Sequence, residues 1–475
     1  MKTPILGSSY VARSVNAADN RMVNMFPEAI PEGGKEAAFL QRAPGLEVLA
    51  VVGSGPIRGE WALGEFGYIV SGTQLYKIDK DYVVTFIGDV SGSGPVSMAD
   101  NGTQLFIACN PESFIYNSFT GVFQKITDVD FPGAVTVTYL DGYFVFNEPD
   151  SQRIWVTSLL DGTSIDPLDF ASAEASPDGV VGLIADHREL WIFGTNSAEV
   201  WYNTGNPDFP FQPIQGAFNE IGCVSPYCIS KMDNTLFWLG TDPRGTGIVY
   251  RANGYTGQRV STHAVEWQIQ QYDLSTALTY TYQQDGHQFY VLILPDMAST
   301  FVYDVSVNMW HERAGWNNGS YTRHRSNCQM SFNDQTIVGD YENGNIYALN
   351  LNIFSDNTGV QRWSRSWRPI PPGQNDLKRS AQHRLQLDCE TGVGLNLGQG
   401  SDPQVMLRWS DDGGNTWSHE HWVSMGRIGQ YGFRAIWRRL GMTEKIRDRV
   451  YEVSGTDPVR LFILGAELFV TPTNA

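Results

Sequence analysis

Gly67–Ile87 reads GYIVSGTQLYKIDKDYVVTFI: three short runs of alternating apolar and polar residues joined by tight turns. Alternation over four to eight residues is the pattern of a half-buried strand. The same shape returns behind a polar or glycine turn as NGTQLFIAC at Asn101, DGYFVFN at Asp141, HRELWIFG at His187, DNTLFWLG at Asp233, DGHQFYVLI at Asp285 and NDQTIVGD at Asn333. About ten residues after each comes a second strand, such as SFIYNS from Ser113, RIWVTS from Arg153 or TFVYDV from Thr300. A small antiparallel sheet repeated every 35 to 52 residues predicts an all-β chain built on a β-propeller. Seven blades are expected, and six if the last unit belongs elsewhere.

Outward from the repeat, four regions are expected. Residues 1–40 carry few strand signals and three prolines, and read as an extended arm that packs on its own domain or reaches a neighbour. Residues 41–350 hold the propeller, with the run after the Pro44–Gly45 turn expected to begin the first blade. The Gly-rich link SGSGP, Ser91–Pro95, supplies turn dihedrals; it lacks the helix and Lys-Ser/Thr pair of a phosphate loop. Residues 351–380 form a linker or interface segment. Residues 381–475 give about five strands, from HRLQLDCETG to VRLFILGAELFV, and predict a β-sandwich-like domain.

Charge is unevenly placed. Of the net −18, residues 1–359 hold 18 Lys/Arg against 39 Asp/Glu, whereas residues 360–450 hold 14 against 9. An acidic body repels phosphate and argues against a general grip on nucleic acid. The five cysteines follow no framework and read as reduced, mostly buried thiols. The first residues do not make a signal peptide, and no segment approaches the 18 apolar residues of a membrane-spanning helix.

Two stretches stand out as sites. In QRWSRSWRPI, Arg362, Arg365 and Arg368 flank Trp363 and Trp367. Arg beside Trp suits a protein interface, a stacked nucleic acid, or a linker strand buried against the ring. Arg438 and Arg439 belong to a basic cluster with Arg434, Lys445, Arg447 and Arg449, which could dock an acidic partner or stay solvated. The second stretch, SDDGGNTW, places Ser410, Asp412, Gly414, Thr416 and Trp417 in an Asp-box pattern similar to that of sialidase-type propellers. It reads as a structural hairpin turn with no catalytic meaning. His419 and His421 share one strand face but lack a third ligand, so no metal, cofactor or catalytic residue is assigned. Two carboxylates cannot be chosen for glycoside hydrolysis by spacing alone.

Several stretches, in order, carry a resemblance to a known family: NAADNRMVNMFPE from Asn16, RAPGLEV, SGSGPVSMADNG, SPDGVVGLIADHRELWIFGTNSAEVWYNTG from Ser176, IGCVSPYCISKMDNTLFWLG from Ile221, and ETGVGLNLG…LRWSDDGGNTWS…WRRLG. The chain resembles the tail hub, or nozzle, proteins of Salmonella-type short-tailed phages, the packaged DNA stabilisation proteins. That resemblance implies a non-enzymatic virion tail component, made in the host cytoplasm and assembled as a ring, expected to be hexameric, below the portal and its adaptor. It implies that DNA passes through the ring without specific binding, and that a needle or plug and receptor-binding tailspikes attach. The alternative is a glycosidase-like or glycan-binding propeller at the bacterial surface, marked by Arg, Tyr and carboxylates converging in the central well.

Overall fold

The computed structural model describes residues 1–173, 176–206, 209–370, 378–445 and 448–473. The turns that open each repeat explain why the sequence folds into blades. Asp141, His187, Asp233, Asp285 and Asn333 all take a left-handed backbone, with φ between 48° and 52°, and a second left-handed residue follows each. Such turns match the twist of two antiparallel strands, so each fixes a hairpin and its register. Apolar residues then fall on both faces of the second strand, as in Glu189–Gly194 and His287–Ile293, which lie buried between neighbouring blades.

Among the described residues there are seven such blades. Their first strands are Ile57–Leu63, Ser97–Asp100, Val137–Leu140, Val180–Asp186, Ile229–Met232, Leu278–Gln284 and Ser326–Phe332. These strands neighbour one another in a closed circle, the last returning to the first. The link at Ser91–Pro95 is held by Arg58, which donates to the carbonyls of Gly72 and Ser91 at 2.9 Å each and to that of Gly94 at 2.5 Å.

The run after Pro44–Gly45 does not start blade 1. Gly45–Val51 is instead the fourth strand of blade 7, antiparallel to Asn345–Asn350, and blade 1 begins at Ile57. An early strand thus closes the ring by pairing with the last blade, which removes an exposed edge.

Residues 1–40 pack on the chain's own units as short strands. Met22–Val23 lies between the outer strand of blade 6, Met309–Arg313, and Trp363–Trp367. One nine-stranded sheet therefore runs out of blade 6 through Met22–Val23, Trp363–Trp367, Val450–Gly455 and Gln404–Ser410 to His421–Ser424. A second sheet, in the order Ala435–Arg438, Ser380–Cys389, Phe462–Pro472, Ala38–Arg42, Met25–Ala29, packs on its outer half. Met22, Met25, Leu40, Trp363, Trp367, Leu385, Leu407 and Trp437 fill the space between the two sheets. The C-terminal unit is thus a β-sandwich completed by N-terminal strands.

The seam between the units is polar. Arg21 forms a two-pronged ion pair with the buried Glu312 of blade 6, at 2.8 and 3.0 Å. Arg42, wholly buried, donates to the carbonyls of Phe354, Gln361, Asp457 and Val459 at 2.7–3.1 Å.

Candidate interaction surface

The Arg-Trp stretch is part of the chain's own interior. Trp363, Arg365 and Trp367 share one face of a fully buried strand and point between the two sheets of the sandwich. Trp363 packs over Gly455, where a Cβ would stand 2.6 Å from its ring nitrogen, so only glycine fits beneath it. Arg365 donates to the carbonyl of Ile5 at 2.8 Å, and burial lowers its pKa to about 10. On the other face, Ser366 donates to the carbonyl of Asp19 and Ser364 accepts from Tyr321. Arg362 pairs with Glu420 at 3.0 Å and lies 4.6 Å over the Trp316 ring. Arg368 reaches the carbonyl of Val15. The expectation that these five residues form an external interface is therefore corrected: the partner they bind is the N-terminal segment and the sandwich of the same chain. Arg447 and residues 371–377 lie outside the described residues.

SDDGGNTW forms a tight turn between Gln404–Ser410 and His421–Ser424. The Asp412 carboxylate accepts from Ser410 Oγ (2.6 Å), the amides of Asn415 (2.9 Å) and Thr416 (2.8 Å), and Thr416 Oγ1 (2.7 Å). Those donors hold its pKa well below the usual carboxylate range, the Ser410 hydroxyl foremost. Trp417 donates to the Gly414 carbonyl at 3.1 Å and is covered by Arg408 at 4.6 Å. Gly413, at φ 77°, lies against Asn16, so this turn also clamps the N-terminal segment.

Among the described residues the central well does not bring several arginines together. It is a cavity of about 560 Å³ bounded by the first strands of all seven blades. Arg58 is the only arginine in its described lining. Three backbone carbonyls already engage that side chain. Glu60 is buried, and desolvation raises its pKa well above the usual carboxylate range. Asp100 is occupied by the Trp61 indole and the Gly102 amide, both at 2.8 Å. Among the described residues no group of three or more His, Cys, Asp or Glu could hold a metal; the His421 ring stacks on Trp409 instead. No helix is long and apolar enough to cross a membrane, again among the described residues.

Arg438 and Arg439, by contrast, are exposed. They stand on the strand Ala435–Arg438 and just after it, at the edge of the sandwich farthest along its sheet from Met25–Ala29. Beside them lie Trp422, Ile428, Tyr431 and Phe433, all exposed. Sequence alone does not pick out these apolar companions; for Ile428, Tyr431 and Phe433 the one signal is large apolar residues set in the glycine-rich loop RIGQYGF.

Residues 1–354 match the family described as the bacteriophage P22 Gp10 β-propeller, and residues 373–471 match its β-sandwich. The chain belongs to the bacteriophage P22 Gp10 family. Both Gp10 units occur here in the same order, and the family boundary falls where the structure passes from blade 7 and its closing strand to the sandwich. The tail hub protein gp10 of Salmonella phage P22 is 23% identical over 416 residues, covering 83% of each chain. Similar solved structures include the computationally designed Ika8 protein (TM-score 0.40, 10% identity, 65% of this chain and 99% of the other) and the N-terminal domain of Nup159 (0.42, 8%, 68% and 98%). A third is the extracellular domain of the one-component system BT4673 of B. thetaiotaomicron (0.43, 11%, 86% and 57%). At those TM-scores the superpositions add nothing to the fold already described.

Proposed function

We infer that this chain is a structural tail hub subunit of a phage virion. It would form a ring below the portal and adaptor, extend the DNA channel, keep packaged DNA in place, and anchor needle and tailspikes. The observation that carries this reading is the match of both Gp10 units across nearly the whole chain, with a relative named as a tail hub protein. The protein is not an enzyme, and its place is the virion tail.

Physical features support the finer reading. The propeller and sandwich share one continuous sheet, which suits a subunit that must pass force between neighbours without bending at a linker. The well along the propeller axis, at about 560 Å³, has the size of a small-molecule pocket, so the DNA conduit would lie between subunits. An acidic body of 39 Asp/Glu against 18 Lys/Arg would keep phosphate from adhering to such a conduit.

The test is nuclease protection of DNA-filled capsids bearing portal and adaptor, with and without this chain. The hub reading expects DNA to become accessible without the chain and protected when it is added back. Equal protection in both samples would sink it.

A further inference from the structure

Two exposed patches of complementary character stand at opposite ends of the molecule. The first is the free edge of the sandwich. The sheet that leaves blade 6 ends at His421–Ser424, and the sheet packed on it ends at Ala435–Arg438. The Trp437 indole donates to the His421 carbonyl at 2.8 Å and ties the two edges together. Between His421 and Thr443 there are four arginines and no carboxylate. Interleaved with them are Trp422 and Tyr431, exposed by 58% and 74%, with Leu397 (86%) on a loop of the same unit.

The second patch is on the outer corner of blades 2 and 3. Phe119, Val129 and Leu168 are exposed by 90%, 93% and 78%, and Leu159 and Leu160 by about three-fifths each. Hydrogen bonds draw their loops together. Ser118 binds Thr103, Asn101 binds the Leu160 carbonyl, and the Ile165 amide binds Asp128. The loops of this corner are acidic: residues 119–131 and 159–169 hold five Asp against one Lys. Isolated apolar residues at a surface need no explanation, but a cluster rimmed by one sign of charge marks a contact site.

The positions matter as much as the chemistry. In a ring of seven blades, the junction of blades 2 and 3 faces blade 6 across the axis. The sandwich is carried outward from blade 6, with its arginine edge at the end of the sheet. The two patches are therefore the head and tail of one elongated subunit.

We propose that the Arg434/Arg438/Arg439 edge of the sandwich docks on the blade 2–3 corner of a second copy of this chain, as the repeating head-to-tail contact of the ring. A heterologous contact of this kind closes into a ring when its rotation allows. Apolar residues at the centre supply the attraction, and the opposite charges set partner and orientation. The inference rests on the ring reading above and names the surfaces that build it.

Two charge-reversed proteins test it: Arg434→Glu/Arg438→Glu/Arg439→Glu on one side, and Asp130→Arg/Asp166→Arg on the other. Assembly is followed by native mass spectrometry and sedimentation at low and high salt, with folding checked by circular dichroism. Each reversed protein should assemble at least ~10-fold more weakly than the parent, and carrying both sets in one chain should restore assembly. Phe119→Ser, which leaves charge alone, should weaken assembly at every salt concentration, whereas the parent's charge contribution should fade as salt rises. Reversed chains that join rings as well as the parent, or a combined chain no better than either alone, would overturn this contact and leave the ring standing. Cross-links from the arginine edge to a different tail protein, in particles where the ring is intact, would do the same. A parent that stays monomeric even with portal and adaptor present would overturn the ring reading together with the contact.

Discussion

Replacing Arg42 by methionine probes the joint between the two units, because opposing terms of similar size meet there. The guanidinium is fully buried, and desolvation lowers its pKa from 12.5 to about 9. That difference corresponds to about 5 kcal/mol of cost in keeping the charge inside. Arg42→Met removes this cost while roughly preserving volume. It also strands the backbone carbonyls of Phe354, Gln361 and Val459 and the side-chain carbonyl of Gln361, which all accept from Arg42, whereas the Asp457 carbonyl keeps the Val459 amide. Each buried acceptor left without a donor costs about 1–3 kcal/mol, so four together cost on the order of 8 kcal/mol. The contact of the guanidinium with the Phe354 ring, 5.1 Å from its centroid, is lost as well. The stranded carbonyls outweigh the relieved charge, and the variant should lose about 3 kcal/mol.

Where that loss appears is equally specific. Phe354 and Gln361 follow blade 7, whereas Asp457 and Val459 lie in the sandwich, so Arg42 stitches one unit to the other. Urea unfolding should be followed by two probes: tryptophan fluorescence, to which the sandwich contributes six of the 14 tryptophans, and far-ultraviolet circular dichroism, which reports all strands. In the parent the two transitions should coincide; in Arg42→Met the fluorescence midpoint should move to lower urea and precede the other. A variant whose midpoint equals or exceeds the parent's would refute the reasoning, since it would mean that relief of the buried charge exceeds the worth of the four carbonyl bonds.

Two further outcomes follow from buried groups. Burial raises the Asp356 pKa from 3.8 to about 7, so the folded state holds a proton that the unfolded state has released; its stabilising contribution is full below pH 3.8 and is lost as pH rises through about 7. Urea midpoints should therefore fall across that window by up to about 4 kcal/mol in stability, and Asp356→Asn should remove most of the slope; an unchanged slope would exclude Asp356 as its source. Trp367→Ala should cost about 3–5 kcal/mol, because the ring is buried between the sandwich sheets and its indole donates to Thr3 at 3.1 Å. A variant with parental stability but impaired assembly would instead restore the external-interface role for that residue.

What the sequence discloses here divides by the range of the interaction. The blades are legible because each depends on a local signal: left-handed residues such as Asp285 or Asn333 at the turn, then period-two strands within the next twenty residues. The Asp box is legible for the same reason, as Asp412 bonds only to residues within four positions. Closure of the ring is not, because Gly45–Val51 pairs with residues three hundred positions on, and its own alternation suits an outer strand of blade 7 as well as a first strand of blade 1. The N-terminal segment hides its role for a related reason. Its strands are two to five residues long, and several find partners hundreds of positions on, Met22–Val23 in Trp363–Trp367 and Ala38–Arg42 in Phe462–Pro472. RWSRSWR shows the deeper ambiguity. An arginine served by backbone carbonyls can be buried as completely as a tryptophan, and the sequence does not say whether those carbonyls belong to the same chain or to another. Ile5 and Val15 answer for Arg365 and Arg368 within this chain. No comparable partner from the same chain engages the side chains of Arg434, Arg438 and Arg439 among the described hydrogen bonds. Of the two arginine clusters in the sequence, the first is thus consumed within the fold, and the second stands exposed at the sandwich edge.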